Sequence, residues 1–589
     1  MSEARRYAAR FFLAWLCSFV FLLVIYFPTA SIPFAHHDQY RYFSLCGPHV
    51  EEIKLERSSE PQWDWLRLIG RPVAAELEHQ IFRHVTTVGD LTRIRIIGIG
   101  LYATAMAMFL VYLLEFNLTP RSAFCLAGAV FALPAVQFSV YVASFNHPVA
   151  HILALSSALL MRLGSRLSAG DARWYLNPRR IACHAVAIAL LVIAQLSYPP
   201  SAFVALFLIA TELALKGTAD WPATCRHLVR DASLLVVACI VYYLIIKRYY
   251  LLRGGHGVHD YQIEMNVALL HRLHMFVTQL LWPMFNLWNV QVSIPLAKAV
   301  ACCLASGLGV MLFRQLRHAC RHARRIVRVS WNSSLIQASI QCTLPIQRLS
   351  RGLQLLGAIV LVLALSETTY FAAPAGWKLY RTHFASAGIT LLMLAGAAAA
   401  WGRLVTPRWR GRLAMTLACA TLCGAGLVAH HNVLMNCLND RLELSFIGSQ
   451  ISAHLGDPIR RIHVIQAANE RFTFNGHRIV FSGDEFNNPT TARAGAIGNM
   501  VRTALQVLFD RDSLQVCDVP HTLEAIQSAG SQAIAITYSA HGEPVVASPD
   551  TIVIDMDALL RVAASTTRPW HAAPPLSTAS NPSRAAVSK

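Results

Sequence analysis

The stretch FFLAWLCSFVFLLVIYFPTASIPFA, residues 11–35, decides the fold class because it carries no charged side chain. A helix of about 20 apolar residues crosses the roughly 30 Å hydrocarbon core of a bilayer. Arg5, Arg6 and Arg10 precede the stretch, and basic residues mark the cytoplasmic side of a span. The apolar run is also too long for the core of a signal peptide. The stretch therefore predicts a first transmembrane helix that runs from the inside to the outside.

The composition of the whole chain is that of a polytopic membrane protein. The 589 residues are 55% hydrophobic and only 14% charged, with a mean hydropathy of +0.43. Apolar runs in lipid form helices, because each backbone polar group must find its partner within the segment. The net charge of +19 comes from basic residues that collect in alternate loops, as orientation signals do. The predicted partner is therefore the lipid bilayer, and no nucleic acid is expected.

Further apolar runs predict a bundle of about eleven spans, with the N-terminus inside and the C-terminus outside. Arginine-rich loops at 162–180, 314–328 and 403–412 face inward in this arrangement, and the short outer turns are nearly free of Lys and Arg. The runs after the first are 94–114, a hairpin at 122–161 broken at 144–148, a hairpin at 181–211 broken at 198–200, and single spans near 232–246, 293–313, 352–372, 384–402 and 413–432.

Three regions are predicted to lie outside: the long first loop at 36–93, the loop at 247–275, and the chain from about 433. The first loop contains amphipathic helical patterns near 62–66 and 71–77. The fold class is thus mainly α, a transmembrane bundle at 1–432 with a small extracytoplasmic α/β domain at 433–564 and a disordered tail at 565–589. The α/β prediction rests on a helical pattern at 441–455 and β-rich runs at 461–465, 513–517, 533–537 and 551–555.

The loop that follows the first span carries the pattern most suggestive of chemistry, His36-His37-Asp38-Gln39-Tyr40-Arg41. Asp38 is the first carboxylate that the chain presents after the uncharged stretch. At that depth a lipid-linked substrate keeps its headgroup. The loop is therefore the first candidate site.

Together these features resemble the GT-C class of integral-membrane glycosyltransferases, and within it the bacterial O-antigen glucosyltransferase type. The resemblance covers the layout of 1–432, and its motif is the string His37-Asp38-Gln39, in which Gln39 stands where the family usually shows a second acid. It implies transfer of a sugar from a polyprenyl-phosphate carrier to a glycan or lipid acceptor outside the cytoplasm. It also implies a bacterial inner membrane protein whose C-terminal domain is periplasmic.

In this reaction Asp38 suits the general base that deprotonates the acceptor hydroxyl, and an arginine suits the departing phosphate. Arg381 is favoured for the phosphate because it lies in a short outer turn that is otherwise almost uncharged; with Lys378 it could instead only anchor the ends of the spans. Glu367 near the outer end of a span would assist Asp38, or would pair with Lys378 or Arg381 without a catalytic purpose. The remaining substrate-binding candidates are His37, Gln39, Arg41, His147 and Arg253.

The sequence predicts no resident cofactor or metal, although a divalent cation is left open. The fourteen cysteines show no Cys-x-x-Cys or Cys/His spacing typical of metal sites, and His36 and His37 are interpreted as interface residues. Cys437 and Cys517 are assigned to the outer domain, where they could form a disulfide.

Two other function classes stay open. An O-antigen polymerase or ligase is also polytopic with outer arginines, but it lacks the acid after the first span and usually places its large loop late. A transporter or flippase of a lipid-linked solute often shows internal repeats and ionisable residues at the midplane. This chain has an odd number of predicted spans and no visible repeat.

Overall fold

A computed structural model of the chain defines the architecture. It describes residues 3–36, 39, 66–67, 69–85, 88–167, 177–217, 220–252, 274, 284–288, 295–310, 313, 317, 335–368, 382–454, 461–465, 473–474, 477–478, 501, 515–518, 533–539, 545 and 548–556.

These residues are mostly helical. The helices are α1 (Glu3–Ile25), α2 (Phe27–Ser31), α3 (Pro72–Phe82), α4 (Val88–Leu114), α5 (Pro120–Phe131), α6 (Pro134–Tyr141), α7 (Asn146–Leu167), α8 (Pro178–Ser197), α9 (Pro199–Ala202), α10 (Leu206–Lys216), α11 (Trp221–Leu252), α12 (Pro295–Val310), α13 (Leu335–Ser366), α14 (Phe384–Gly402) and α15 (Pro407–Ser452).

Within the described ranges, eight helices are long and apolar enough to cross a membrane, or nine if the bent pair α5 and α6 forms one span. Two further apolar helical stretches, Pro295–Val310 and Ser350–Ser366, are shorter. Helices α1, α11 and α15 turn apolar side chains such as Phe12, Ile240 and Leu427 outward, as lipid-facing helices do. The chain is therefore a helical membrane protein. The total of eleven spans and their orientation stay predictions.

The buried centre of the bundle contains α10 and α14, which approach each other closely at two glycines. A Cβ at Gly388 would lie 2.4 Å from the Phe207 ring, and one at Gly396 would lie 2.6 Å from the Ala214 carbonyl oxygen. Membrane helices pack through such small residues because lipid offers no hydrophobic drive for their association. These glycines let α10 and α14 pack in direct contact.

Prolines set several helix starts and breaks. Pro134 occupies the first turn of α6 and stands at a 62° bend between α5 and α6. The predicted span at 122–143 is therefore a bent pair. The break between α6 and α7 lies at 142–145, where Ala143 has a φ of 53°, and the break before α9 lies at Tyr198. Both breaks overlap the positions predicted from the sequence.

Helix α15 is one continuous element of 46 residues. The sequence predicts a span ending at 432 and a separate outer helix at 441–455, but no break in α15 marks the predicted domain boundary at 433. Cys437 lies inside this helix, completely buried and without a disulfide. Cys437 therefore does not form the disulfide with Cys517 that the sequence left open, whereas its assignment to the outer domain stays a prediction.

The chain after α15 forms a parallel sheet. Strands β1 (Arg461–Ile465), β4 (Gln515–Asp518), β5 (Ala533–Ser539) and β6 (Thr551–Asp555) lie in the order β4-β5-β1-β6. The short strands β2 (Thr473–Phe474) and β3 (His477–Arg478) form an antiparallel pair. One face of the parallel sheet is apolar, with Ile462, Val464, Ile552 and Ile554 buried. The four strand predictions are confirmed, whereas the location of this segment outside the membrane stays a prediction.

Candidate functional site

Several helix ends meet at the end of the bundle that the sequence predicts to face outward, and we call it the outer end. Helices α1, α6, α8 and α13 end there, and α4, α7 and α14 begin there. Hydrogen bonds between their terminal residues, described next, hold these ends together. Most of the candidate site residues that the structure describes lie at this end.

Gln39 ties the exit of the first helix to the break between α6 and α7. Its side chain is completely buried. The amide Nε2 donates to the Val142 carbonyl at 2.7 Å, and Oε1 accepts from the His36 backbone N–H at 2.8 Å. An ionised carboxylate could not donate to Val142. The geometry thus accounts for an amide at the position where the resemblance implies a second acid.

Arg95 of α4 occupies the centre of this junction and is also completely buried. Its Nη2 donates to Gln39 Oε1 at 2.9 Å and to the Phe34 carbonyl at 3.0 Å, and its Nε donates to the Tyr141 carbonyl at 3.2 Å. The guanidinium lies 3.6 Å over the Phe34 ring. The last carbonyls of a helix have no partner within the helix, and its C-terminus favours a cation. Arg95 meets this need at the end of α6.

Helix α15 closes the junction with a carboxylate. The Tyr141 hydroxyl donates to Asp440, which is 6% exposed. Arg441 donates to the Pro33 carbonyl at 3.1 Å, and the His36 ring packs edge-on against Tyr141. The buried guanidinium on α4 and the buried carboxyl group on α15 are therefore linked in one network through Tyr141.

A second buried carboxylate, Glu78, joins helix α3 to the same break. Its Oε1 accepts from Ser144 Oγ at 3.0 Å and from Asn146 Nδ2 at 2.9 Å. Glu78 is 2% exposed and lies beside the first turn of α7, where a helix favours negative charge. The predicted amphipathic helix near 71–77 is confirmed as α3. The Glu78 carboxylate thereby holds α3 against the bundle.

His147, a predicted substrate-binding residue, lies in the first turn of α7 and is 5% exposed. Its ring centroid is 4.0 Å from that of Tyr198. The Arg71 guanidinium, just before α3, lies over the same Tyr198 ring, 4.6 Å from its centroid. His147 is thus packed between outer elements beside the Glu78 junction.

Glu367, the second predicted catalytic residue, pairs with a histidine. His383 Nδ1 lies 3.1 Å from both carboxylate oxygens of Glu367. Both side chains are almost completely buried. The ring of His151 stacks on Phe384, the next residue, with centroids 4.5 Å apart. The described partner of Glu367 is therefore His383, just before α14, which the sequence did not predict; the expected partners Lys378 and Arg381 lie outside the described residues.

Gln39 binds the start of the break at 142–145, through the Val142 carbonyl, and His147 lies in the first helical turn after the break. Glu367 belongs to a separate pair at the same end. Six predicted site residues lie outside the described residues: His37, Asp38, Arg41, Arg253, Lys378 and Arg381.

Sequence reasoning missed four buried polar residues at this end. Arg95 carried a signal, because it is an arginine inside the predicted span 94–114, and an ionisable residue within a span usually has a buried partner. Asp440 and Glu78 lie in stretches of mixed polarity, where an acid is unremarkable by pattern. His383 was visible only as one residue of a short outer turn. Their partners are distant in sequence and could not be found from it.

A different polar network lies at the opposite end of the bundle. Arg162 of α7 pairs with Glu212 of α10 at 3.0 Å and with Asp231 of α11 at 2.9 Å. All three side chains are at least 93% buried. His227 contacts Glu212 at 2.8 Å, and Arg230 donates to Asp231 at 2.7 Å. The sequence places Arg162 in an inner loop, but it is a buried helical residue that joins three helices.

No three His, Cys, Asp or Glu side chains are grouped as metal ligands within the part of the chain that the structure describes. The Gln39 amide oxygen already accepts two hydrogen bonds. It is therefore occupied by protein donors.

Comparisons with known proteins add no relative: no protein-family profile, curated protein or solved structure matches this chain.

Proposed function

We propose that this protein is an integral-membrane glycosyltransferase of the bacterial inner membrane. It transfers a sugar from a polyprenyl-phosphate carrier to a glycan or lipid acceptor on the periplasmic side. Asp38 is its general base, and Arg381 holds the phosphate. The sheet that follows α15 belongs to a periplasmic domain in this proposal.

The observation that supports the proposal most strongly is that two described parts of the first loop, Gln39 and α3, dock on one helix break. Gln39, which follows Asp38 in the chain, bonds Val142, and Glu78 of α3 binds Ser144 and Asn146. A loop fixed at both ends against helix termini can hold a catalytic side chain at the depth of a lipid headgroup. A plain connecting loop would need neither buried anchor.

Three of the described acids at the outer end are buried and bonded to protein groups, which favours Asp38 as the base. Glu78 accepts two hydrogen bonds, Asp440 accepts one from Tyr141, and Glu367 pairs with His383. These three side chains are at most 6% exposed, so an external hydroxyl has little access to them. A base that works on an external hydroxyl must also reach it directly or through one water.

The reaction is a single displacement. Asp38 takes the proton of the acceptor hydroxyl while the acceptor oxygen bonds to the anomeric carbon. The bond between that carbon and the phosphate oxygen breaks, and the polyprenyl phosphate leaves with the electron pair. The guanidinium fork of Arg381 suits the phosphate oxygens, which it can bind in a bidentate manner. The anomeric configuration of the sugar inverts.

One observation favours the alternative of a transporter. Arg162, Glu212 and Asp231 are buried ionisable residues within apolar helices, and such residues often mark a transport path. Each of them has an oppositely charged partner within 3.0 Å, however, so the set also fits a brace between helices.

Surface glycans of cells with and without the protein distinguish these functions. We expect mass spectrometry to show one sugar increment on a glycan or glycolipid only when the protein is present. A transporter would change the amount of a glycan at the surface without adding a sugar to it. Identical glycan masses in both strains would reject the transferase.

The orientation can be tested separately with engineered thiols. A membrane-impermeant reagent should label cysteines placed at 38 and beyond 440 in intact spheroplasts, and it should leave one at 325 unlabelled. Labelling at 325 alone would place Asp38 on the wrong side for this function.

A further inference from the structure

We propose that Arg95 is a positioning residue for the proposed base: it fixes Phe34 and Gln39, described residues on either side of His37 and Asp38 in the sequence. This inference rests on the proposed function of Asp38. It also makes a claim about the folded chain that is testable without any activity.

His36 and Gln39 are joined to each other by two hydrogen bonds. The Gln39 backbone N–H donates to the His36 carbonyl at 2.8 Å. In return, the His36 backbone N–H donates to Gln39 Oε1 at 2.8 Å. His37 and Asp38 are the two residues between them in the sequence. The two hydrogen bonds fix how far apart the ends of this short segment lie.

Arg95 binds the chain both before His36, at Phe34, and after it, at Gln39. The same nitrogen, Nη2, donates to the Phe34 carbonyl before the segment and to the Gln39 side chain after it. Nε donates to the Tyr141 carbonyl at the end of α6. Phe34 and Gln39 are thereby fixed to two helices of the bundle, α4 and α6.

The guanidinium is the only basic group whose shape fits this arrangement. Three acceptors lie around one planar fork, whose face also covers the Phe34 ring at 3.6 Å. A lysine ammonium is a compact charge that cannot stack and bond in this way. Arg95→Lys should therefore keep the buried charge opposite Asp440 and lose the closure of the segment.

Amide hydrogen exchange in detergent micelles tests the physical claim. In Arg95→Lys, amide exchange in a peptide covering residues 34–41 should accelerate about tenfold, as expected for the loss of a hydrogen-bonded closure. The matched control is Arg93→Lys on the same helix, whose side chain is 85% exposed, and it should leave that peptide unchanged. Unchanged exchange in Arg95→Lys would overturn the inference. If Arg95→Lys does not fold, Gln39→Leu removes the oxygen that accepts from both His36 N–H and Arg95, and it should accelerate exchange in the same peptide.

A kinetic cycle with Asp38→Asn tests whether Arg95 acts through Asp38. The probes are a radiolabelled polyprenyl-phosphate hexose as donor and membrane-extracted glycolipid as acceptor. A displaced base should lower kcat about 10- to 100-fold with little change in the donor KM. In an Asp38→Asn background, Arg95→Lys should cost nothing further. If Arg95→Lys lowered kcat in the Asp38→Asn background as much as it does in the wild type, Arg95 would act on the fold and not through Asp38.

The two failures are distinguishable. If Asp38→Asn transfers sugar normally, the proposed function of Asp38 is wrong, whereas the exchange result still decides the role of Arg95 in holding the segment. If Asp38→Asn is inactive and both Arg95→Lys readouts are unchanged, only the positioning role is wrong.

Discussion

Replacing Arg162 by glutamine tests whether the buried network at the inner end braces the bundle. Arg162 stands 3.0 Å from Glu212 and 2.9 Å from Asp231, and the three side chains are 7%, 3% and 4% exposed. The substitution leaves two carboxylates in a buried site without the cation between them. Breaking a buried ion pair in this way costs about 3–5 kcal/mol.

The remaining contacts place the expected loss at the lower end of that range. Glu212 keeps His227 at 2.8 Å and the Tyr112 hydroxyl at 3.1 Å, and Asp231 keeps Arg230 at 2.7 Å. We therefore expect Arg162→Gln to lower the free energy of unfolding by about 3 kcal/mol.

The matched control is Arg166→Gln, one turn further along α7. Arg166 pairs with Glu115 at 2.6 Å, but the two side chains are 66% and 42% exposed. Exposed ion pairs contribute about 0–1 kcal/mol. Unfolding by SDS in mixed micelles, followed by tryptophan fluorescence, measures both variants. A difference of less than about 1 kcal/mol between them would refute the bracing role.

Three further predictions concern the helix packing and the outer end. Glu78→Ala should lower the free energy of unfolding by about 1–3 kcal/mol, because Ser144 and Asn146 lose a buried acceptor. It should also speed proteolysis near α3. The control is Glu76→Ala, at a side chain that is 54% exposed, and it should change both readouts little. Gly388→Ala should cost about 1–3 kcal/mol by overpacking against Phe207, where the new Cβ would lie 2.4 Å away, whereas Gly424→Ala, with nothing within 4 Å, should be neutral or slightly stabilising in the same SDS titration. Arg381→Lys should impair sugar transfer at normal protein levels if Arg381 binds phosphate through its fork; a wild-type transfer rate would assign it to anchoring the span.

Local patterns were enough to predict many elements of the fold. Strands β1 and β6 occupy the residues expected from short β-rich runs. The breaks near 144–148 and 198–200 were visible because polar residues and prolines interrupt apolar runs there. The bend before Pro134 was missed, since the apolar run continues across it.

Two other features were hidden from hydropathy. Helix α15 continues past 432, although its composition becomes polar. Helical geometry does not end where a chain leaves the hydrocarbon core, so a hydropathy boundary is a poor guide to a helix end. Arg162 was interpreted as a loop arginine because its charge fits an orientation signal, whereas its buried partners come from helices far along the chain.

The candidate site was predictable only in its location. The sequence directed attention to the loop after the first span and to Gln39, His147 and Glu367, all of which lie at the outer end. Their partners Arg95 and His383 depend on which helix ends meet. Such meetings follow from tertiary packing and leave little trace in one sequence.

The most direct test of the central claim is the rate of sugar transfer by purified Asp38→Asn beside the wild-type protein. Asparagine keeps the shape of the side chain and removes its basicity. We predict a fall of about 100- to 10,000-fold, as expected for a lost general base, with unchanged protein yield and an unchanged unfolding transition. A transfer rate equal to that of the wild type would contradict the account.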